Sequence, residues 1–242
     1  MPHLSAKNDE PSSANSLLIS RIYDAIRTNL KAKVGLIILT IFLLVAIFAS
    51  LLAPYDPNEM SMDMMSEPSF QHLLGTDDLG RDLLSRIIWG TQVSLFVGFI
   101  TVAISMIVGV FLGVWAGYYG GWIDMIIMRY IDLQWAFPNF IIAVYLVAVF
   151  GTGLLNIIIA ISLAFLDDFA RVARSMVLTI KEQPYIEAAR VQGTSDFRIM
   201  FKHILPNSVG PIIVQASVSI SYAILGEASL SFLGLGVNAN TP

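Results

Sequence analysis

The sequence predicts an all-α fold, a polytopic transmembrane helical bundle with five spans, on three observations. Of 242 residues, 56% are hydrophobic and only 13% are charged, about half the ~25% charge of a soluble domain. Mean hydropathy is +0.72. Uncharged runs recur along the whole chain, several of them near or above the ~20 residues a helix needs to cross ~30 Å of hydrocarbon.

Residues 1–33 form a polar N-terminal segment containing Arg21, Arg27, Lys31 and Lys33. Val34 to Leu52 then carries no charge for 19 residues, which predicts a first span over 34–52. A cleaved leader would place about 7–15 apolar residues behind a short basic start. The polar segment here is too long for that, so the run reads as an anchor.

A polar loop at 53–86 contains Pro54, Pro57 and Pro68, and Ile87 to Ile123 is uncharged for 37 residues. That length predicts one long span, about 88–118, ending at Gly117, Gly120 and Gly121. Between Asp132 and Asp167 lie 34 uncharged residues, punctuated by Gly151-Thr152-Gly153. A tight turn there predicts a helical hairpin with spans at 131–150 and 154–173. Pro138 removes a backbone donor and kinks or opens the third span. Ile204 to Gly226 supplies the last span, about 207–227.

Lysine and arginine bias sets the expected orientation. Residues 1–33, 117–130 and 174–206 carry the basic excess and are placed in the cytosol. Segment 53–86 has Arg81 and Arg86 against seven acids and is placed outside. The N-terminus is thus cytosolic, and five spans leave the C-terminus outside. A net charge of −4 gives no basic footprint for nucleic acid, and the absence of cysteine removes disulfides and thiolate chemistry. His3, His72 and His203 lie on different segments, so no metal site is expected, and no catalytic motif is present.

Ser105, Gly109, Gly113 and Gly117 recur every four residues, a flat stripe suited to close helix packing; lining a pathway is the second reading. Asp167 and Asp168 fall inside the membrane thickness, where carboxylates are expensive and functional by default. They either pair locally with Arg171 and Arg174, one turn and two turns on, or face the conduit. Glu227 is a similar acid with no cation near it in sequence.

Residues 183–206 are the most informative. Pro184 suits a helix start and Gly193 a left-handed stop. Thr194 or Ser195 suits a second cap, and Pro206 a helix end. Two short helices of this size need a surface to dock on. Tyr185, Ile186, Ala189 and Phe197 supply apolar faces for it.

Here the sequence resembles the permease subunits of binding-protein-dependent ABC importers. The resemblance rests on Glu187-Ala188-Ala189, Gly193 and Leu205-Pro206 in the cytosolic segment. Three further stretches resemble the dipeptide, oligopeptide and nickel branch: Leu74-Gly-Thr-Asp-Asp-Leu-Gly-Arg-Asp82, Ala136-Phe137-Pro138 and Glu227 to Gly236. The resemblance covers roughly residues 30–242. It implies a subunit forming half of a substrate pathway, heterodimeric with a second permease and joined by two ATP-binding subunits and an extracytoplasmic substrate-binding protein. ATP and magnesium would sit on those partners, since no G-x-x-x-x-G-K-[ST] segment occurs; the chain itself would be no enzyme and hold no cofactor. Tyr185, Glu187, Ala188, Ala189, Gly193, Asp196, Leu205 and Pro206 would form the ATPase-coupling element. Di- or oligopeptides are the expected cargo, with nickel the alternative, and an ion-coupled carrier using Asp167, Asp168 or Glu227 is the rival class. Such permeases carry a sixth span that this sequence stops short of, and Asp167-Asp168 departs from the uncharged residues expected at that place.

Overall fold

A computed structural model describes residues 28–236; the expectations for 1–27 and 237–242 lie outside the described residues. The order is α1 (Leu30–Ile47), α2 (Ala49–Leu52), α3 (Leu83–Tyr119), α4 (Gly121–Trp135), α5 (Asn139–Phe150), α6 (Leu154–Ala164), α7 (Leu166–Ile180), α8 (Pro184–Val191), α9 (Asp196–Arg198), a π-turn segment Ile199–Ile204, and α10 (Leu205–Phe232). Asn29 caps α1, its side chain accepting from the Lys31 amide at 3.0 Å. Asp82 caps α3 through the Ser85 amide at 2.8 Å.

Helix α3 is the spine. It packs most extensively against α7, and α10 lies across both. Phe169, Val177, Ile157, Ile161, Ile199 and Leu230 fill the resulting core. The small-residue stripe explains the closeness. A Cβ at Gly109 would sit 2.6 Å from the Leu166 carbonyl, and one at Gly117 2.9 Å from Cβ of Val177. Ser105 donates to the Ser162 carbonyl at 2.8 Å. The whole stripe, Gly113 included, therefore faces α6 and α7.

Among the described residues, three helices are each long and apolar enough to cross a membrane: Leu30–Ile47, Leu83–Tyr119 and a continuous Asp196–Phe232. Helices α4 and α5 make a fourth if their bent pair is one span. The expected fourth span at 154–173 is instead two helices, α6 and α7, parted at Phe165.

Two expectations change here. Residues 121–130 are helical, so the link between the second and third spans shrinks to Gly120. The sequence predicts a cytosolic link over 117–130, but beyond Gly120, at φ +65°, its residues start a new helix. Pro138 does more than kink: α4 and α5 meet at 90° across Ala136-Phe137-Pro138. Pro138 becomes the cap of α5, its carbonyl accepting from the Ile141 amide at 2.9 Å.

Residues 53–82 contain no helix, and polar contacts hold them. Asp77 receives the Arg81 guanidinium at 2.7 Å and the Leu79 amide at 2.9 Å. Asp82 meets His72 Nδ1 at 3.0 Å and the Ser85 hydroxyl at 2.7 Å. Burial pushes both carboxyls up, yet the donors from Arg81 and Leu79 on Asp77, and from Ser85 and His72 on Asp82, outweigh it. Both carboxyls end below the ordinary 3.8. Carboxylates stabilised in this way contribute fully above the unfolded pKa and lose the contribution as pH falls through the folded one. Hydrogen exchange of the Leu79, Arg81 and Ser85 amides, corrected for intrinsic rate, should therefore stay protected at pH 5 and open below the ordinary carboxyl range. Asp77→Asn and Asp82→Asn should flatten that acid dependence.

Candidate functional site

Helix α8 begins with Pro184 at its first turn and stops where Gly193 adopts φ +78°. The Gly193 amide donates to the Arg190 carbonyl at 2.9 Å and the Thr194 amide to that of Ala189 at 3.1 Å, closing the helix end. Ser195 occupies the next cap position without a side-chain hydrogen bond. The second short helix does not stop at Pro206, as its sequence predicts. The Leu205 amide reaches back five residues to Met200, and this wide turn carries the chain past Pro206 into α10. Proline sits in the first turn of α10, where a missing N–H costs little.

The corner's apolar faces divide. Ile186, Ile199 and Met200 are buried in the protein's own core, and Ala189 is half-buried, whereas Tyr185, Val191 and Phe197 are exposed together with Glu187 and Ala188. Three polar contacts moor the corner to the end of α3. The Tyr118 hydroxyl donates to Asp196 at 2.6 Å, the Arg190 guanidinium lies 5.3 Å from the Tyr118 ring, and Lys181 Nζ donates to the Gly117 carbonyl at 2.9 Å. Asp196 thus serves as an internal tether. Leu205 is half-buried and Pro206 exposed within the continuing helix. Sequence reasoning missed Tyr118 and Lys181; the only signal for Tyr118 was its place one residue beyond the glycine stripe.

A second cluster lies where α6 passes into α7. The expected local pairing of Asp167 and Asp168 with Arg171 and Arg174 is not what forms. Arg171 reaches Asp132 at 2.8 Å and stacks 4.4 Å over Trp135, while Arg174 grips Asp124 with two bonds of 2.5 and 2.6 Å. Both partners come from α4, across the tertiary interface, and they outcompete acids on the arginines' own helix. Asp167 is fully buried, and among the described residues neither of its oxygens has a hydrogen-bond partner. Asp168 lines a cavity of about 400 Å³ bounded by α5, the α6–α7 junction and α10. Glu227, 7% exposed on α10, accepts from the Ser231 hydroxyl at 2.8 Å. The structure does not bring Glu227 and Asp168 together in one cavity, although Gly226 and Ser229 beside Glu227 line it.

This arrangement contains a surface-exposed helical corner fixed to a membrane bundle and a half-open cavity with Asp168 in its wall. Comparison with known proteins agrees in kind. Residues 109–241 match the family described as binding-protein-dependent transport system inner membrane component, and residues 20–71 the N-terminal TM domain of oligopeptide transport permease C. The chain is 46% identical over 221 residues to the dipeptide transport system permease protein DppC of Alkalihalophilus pseudofirmus, covering 91% of this chain and 73% of that one. It is 43% identical over 219 residues to the glutathione transport system permease protein GsiD of Pectobacterium atrosepticum, covering 90% and 72%. To the di/tripeptide transport system permease protein DppC of Pseudomonas aeruginosa it is 40% identical over 250 residues, covering 99% and 82%. The chain belongs to the binding-protein-dependent inner-membrane family and is a multi-pass permease subunit of an ABC importer.

Proposed function

We propose that this permease forms half of the pathway for di- or oligopeptides and is driven by ATPase subunits that seat on the α8–α9 corner. The observation that carries the reading is the corner itself: it is moored to α3 through Tyr118 and Asp196 while Tyr185, Glu187, Ala188, Val191 and Phe197 remain exposed. A short helix held so firmly, with apolar residues facing outward, fits a groove on a partner. The named cargoes of the relatives, dipeptides, di/tripeptides and glutathione, support a short peptide as substrate. In this reading the N-terminus and the corner are cytosolic, and segment 53–86 faces a substrate-binding protein outside. A second permease subunit completes the conduit, and five spans lie within residues 34–242, the third bent at Pro138 and the fourth divided at Phe165.

The sequence has no cysteine, so one introduced thiol reports on its own neighbourhood. In a complex whose ATPase subunits bear single thiols at the rim of their groove, Glu187→Cys should cross-link to the ATPase and resist impermeant reagents added outside. Cross-linking from a control thiol at Asp78, or outside labelling at position 187, would reverse the orientation and remove the coupling assignment. Uptake of radiolabelled trialanine into proteoliposomes tests the cargo; ATP-dependent nickel uptake without peptide uptake would replace it.

A further inference from the structure

We infer that the cavity beside Asp168 receives a primary ammonium group, the protonated amino terminus of a peptide in transit; this rests on the importer reading above. Four features carry it. Among the residues lining the cavity, Asp168 alone is ionisable near neutral pH. Its carboxylate makes no hydrogen bond and no ion pair among the described residues, and Arg171 acts on it only through space. That arginine is held elsewhere, by Asp132 at 2.8 Å and by the Trp135 ring. A carboxylate within an apolar bundle requires a countercharge, and the cavity is the open side from which one can come.

The walls specify the kind of cation. Phe140, Phe165 and Tyr222 surround the space, with Asn139 and Ser229 as the neutral polar groups. Aromatic faces attract an organic ammonium. A hydrated divalent metal would need several oxygen donors, and this wall offers few. The cavity of about 400 Å³ falls within the usual range of small-ligand sites, roughly 300–1,000 Å³. It can hold an amino terminus together with a short apolar side chain. Each wall comes from a different part of the bundle: α5 after the 90° break, the α6–α7 junction and α10. Movement of any one of them changes the grip on the ammonium, which is what a transient site in a conduit requires.

The test uses the complete importer in proteoliposomes, with its binding protein saturated by cargo, and compares trialanine with N-acetyl-trialanine. Wild-type protein should favour the free amine, and Asp168→Asn should cut trialanine uptake about tenfold, leaving acetylated uptake within twofold. Asp168→Glu should retain trialanine uptake within threefold of wild type. Proportional loss of both peptides, equal loss in the Glu and Asn variants, or no change in either would overturn the inference while leaving the importer reading standing. Failure of Asp168→Asn to co-purify with its partner subunits would assign the carboxylate to assembly and likewise overturn it. Wild-type protein that carries neither peptide would instead remove the importer reading on which it rests.

Discussion

Gly113→Leu should abolish the folded permease, with little or no monodisperse complex recovered from detergent. The reason is the contact between α3 and α7. At Gly113 the Ala170 carbonyl and the Cβ of Ala173 occupy the space a side chain would need. Overpacking a core usually costs about 1–3 kcal/mol because flexible neighbours can yield. Here the obstacle is backbone, on a helix already pinned by Arg174 to Asp124 and by Lys181 to Gly117. Helices α3 and α7 would have to separate, exposing Phe169 and Val177. Gly35→Leu is the matched control, because a Cβ there meets nothing within 4 Å. Comparable yield and thermal stability for the two variants would show that close approach along the stripe contributes little.

Gly193→Val should leave the protein inserted and assembled but reduce ATP-dependent uptake by about an order of magnitude. Position 193 is open, with nothing within 4 Å of a Cβ, so the substitution meets no clash. What it meets is the backbone angle, φ +78°. A left-handed conformation costs a non-glycine residue roughly 1–2 kcal/mol, and β-branching makes it worse. A shift of one to two kcal/mol changes a population about 5–30-fold, and the population at issue is the closed end of α8. Asn tolerates this region better than most residues. The series Gly193→Asn, Gly193→Ala, Gly193→Val should therefore grade from mild to severe in uptake, with ATPase activity falling less than transport. Uptake that stays at wild-type level in the valine variant would separate the corner from coupling.

Much of the bundle was legible because lipid imposes lengths and glycine imposes stops. The run from Ile87 ended at Tyr119, one residue before Gly120, and the Gly151–Gly153 turn fell between α5 and α6. The 105–117 stripe was readable as a contact face because a four-residue period keeps small side chains aligned on a helix. The ion pairs were not legible. Helix-face rules link Asp167 to Arg171, but Arg174 and Asp124 are 50 residues apart and meet only once α4 has docked on α7. The fate of Pro206 was hidden for a different reason. Proline ends a regular α-helix, and nothing in the sequence announces the five-residue turn that accommodates it. The mooring of Asp196 by Tyr118 likewise depends on where the end of α3 comes to rest. What sequence supplied was the inventory of the corner; folding decided which of its apolar residues, Ile186 or Tyr185, turned inward.

The unbroken helix from Asp196 to Phe232 gives the molecule a mechanical beam. At about 1.5 Å per residue, its 37 residues run for roughly 55 Å. One end is the moored corner, and the other carries Tyr222, Leu225, Gly226 and Ser229 in the cavity wall. Its irregular points, the wide turn at 199–204 and Pro211 within α10, both lie on the corner side. Beyond Pro211 the helix is regular, with Ile212, Ser219, Ala223 and Leu230 buried along it. Under the proposed coupling, residues 199–211 are the stretch through which a push on the corner would have to pass to reach the cavity wall.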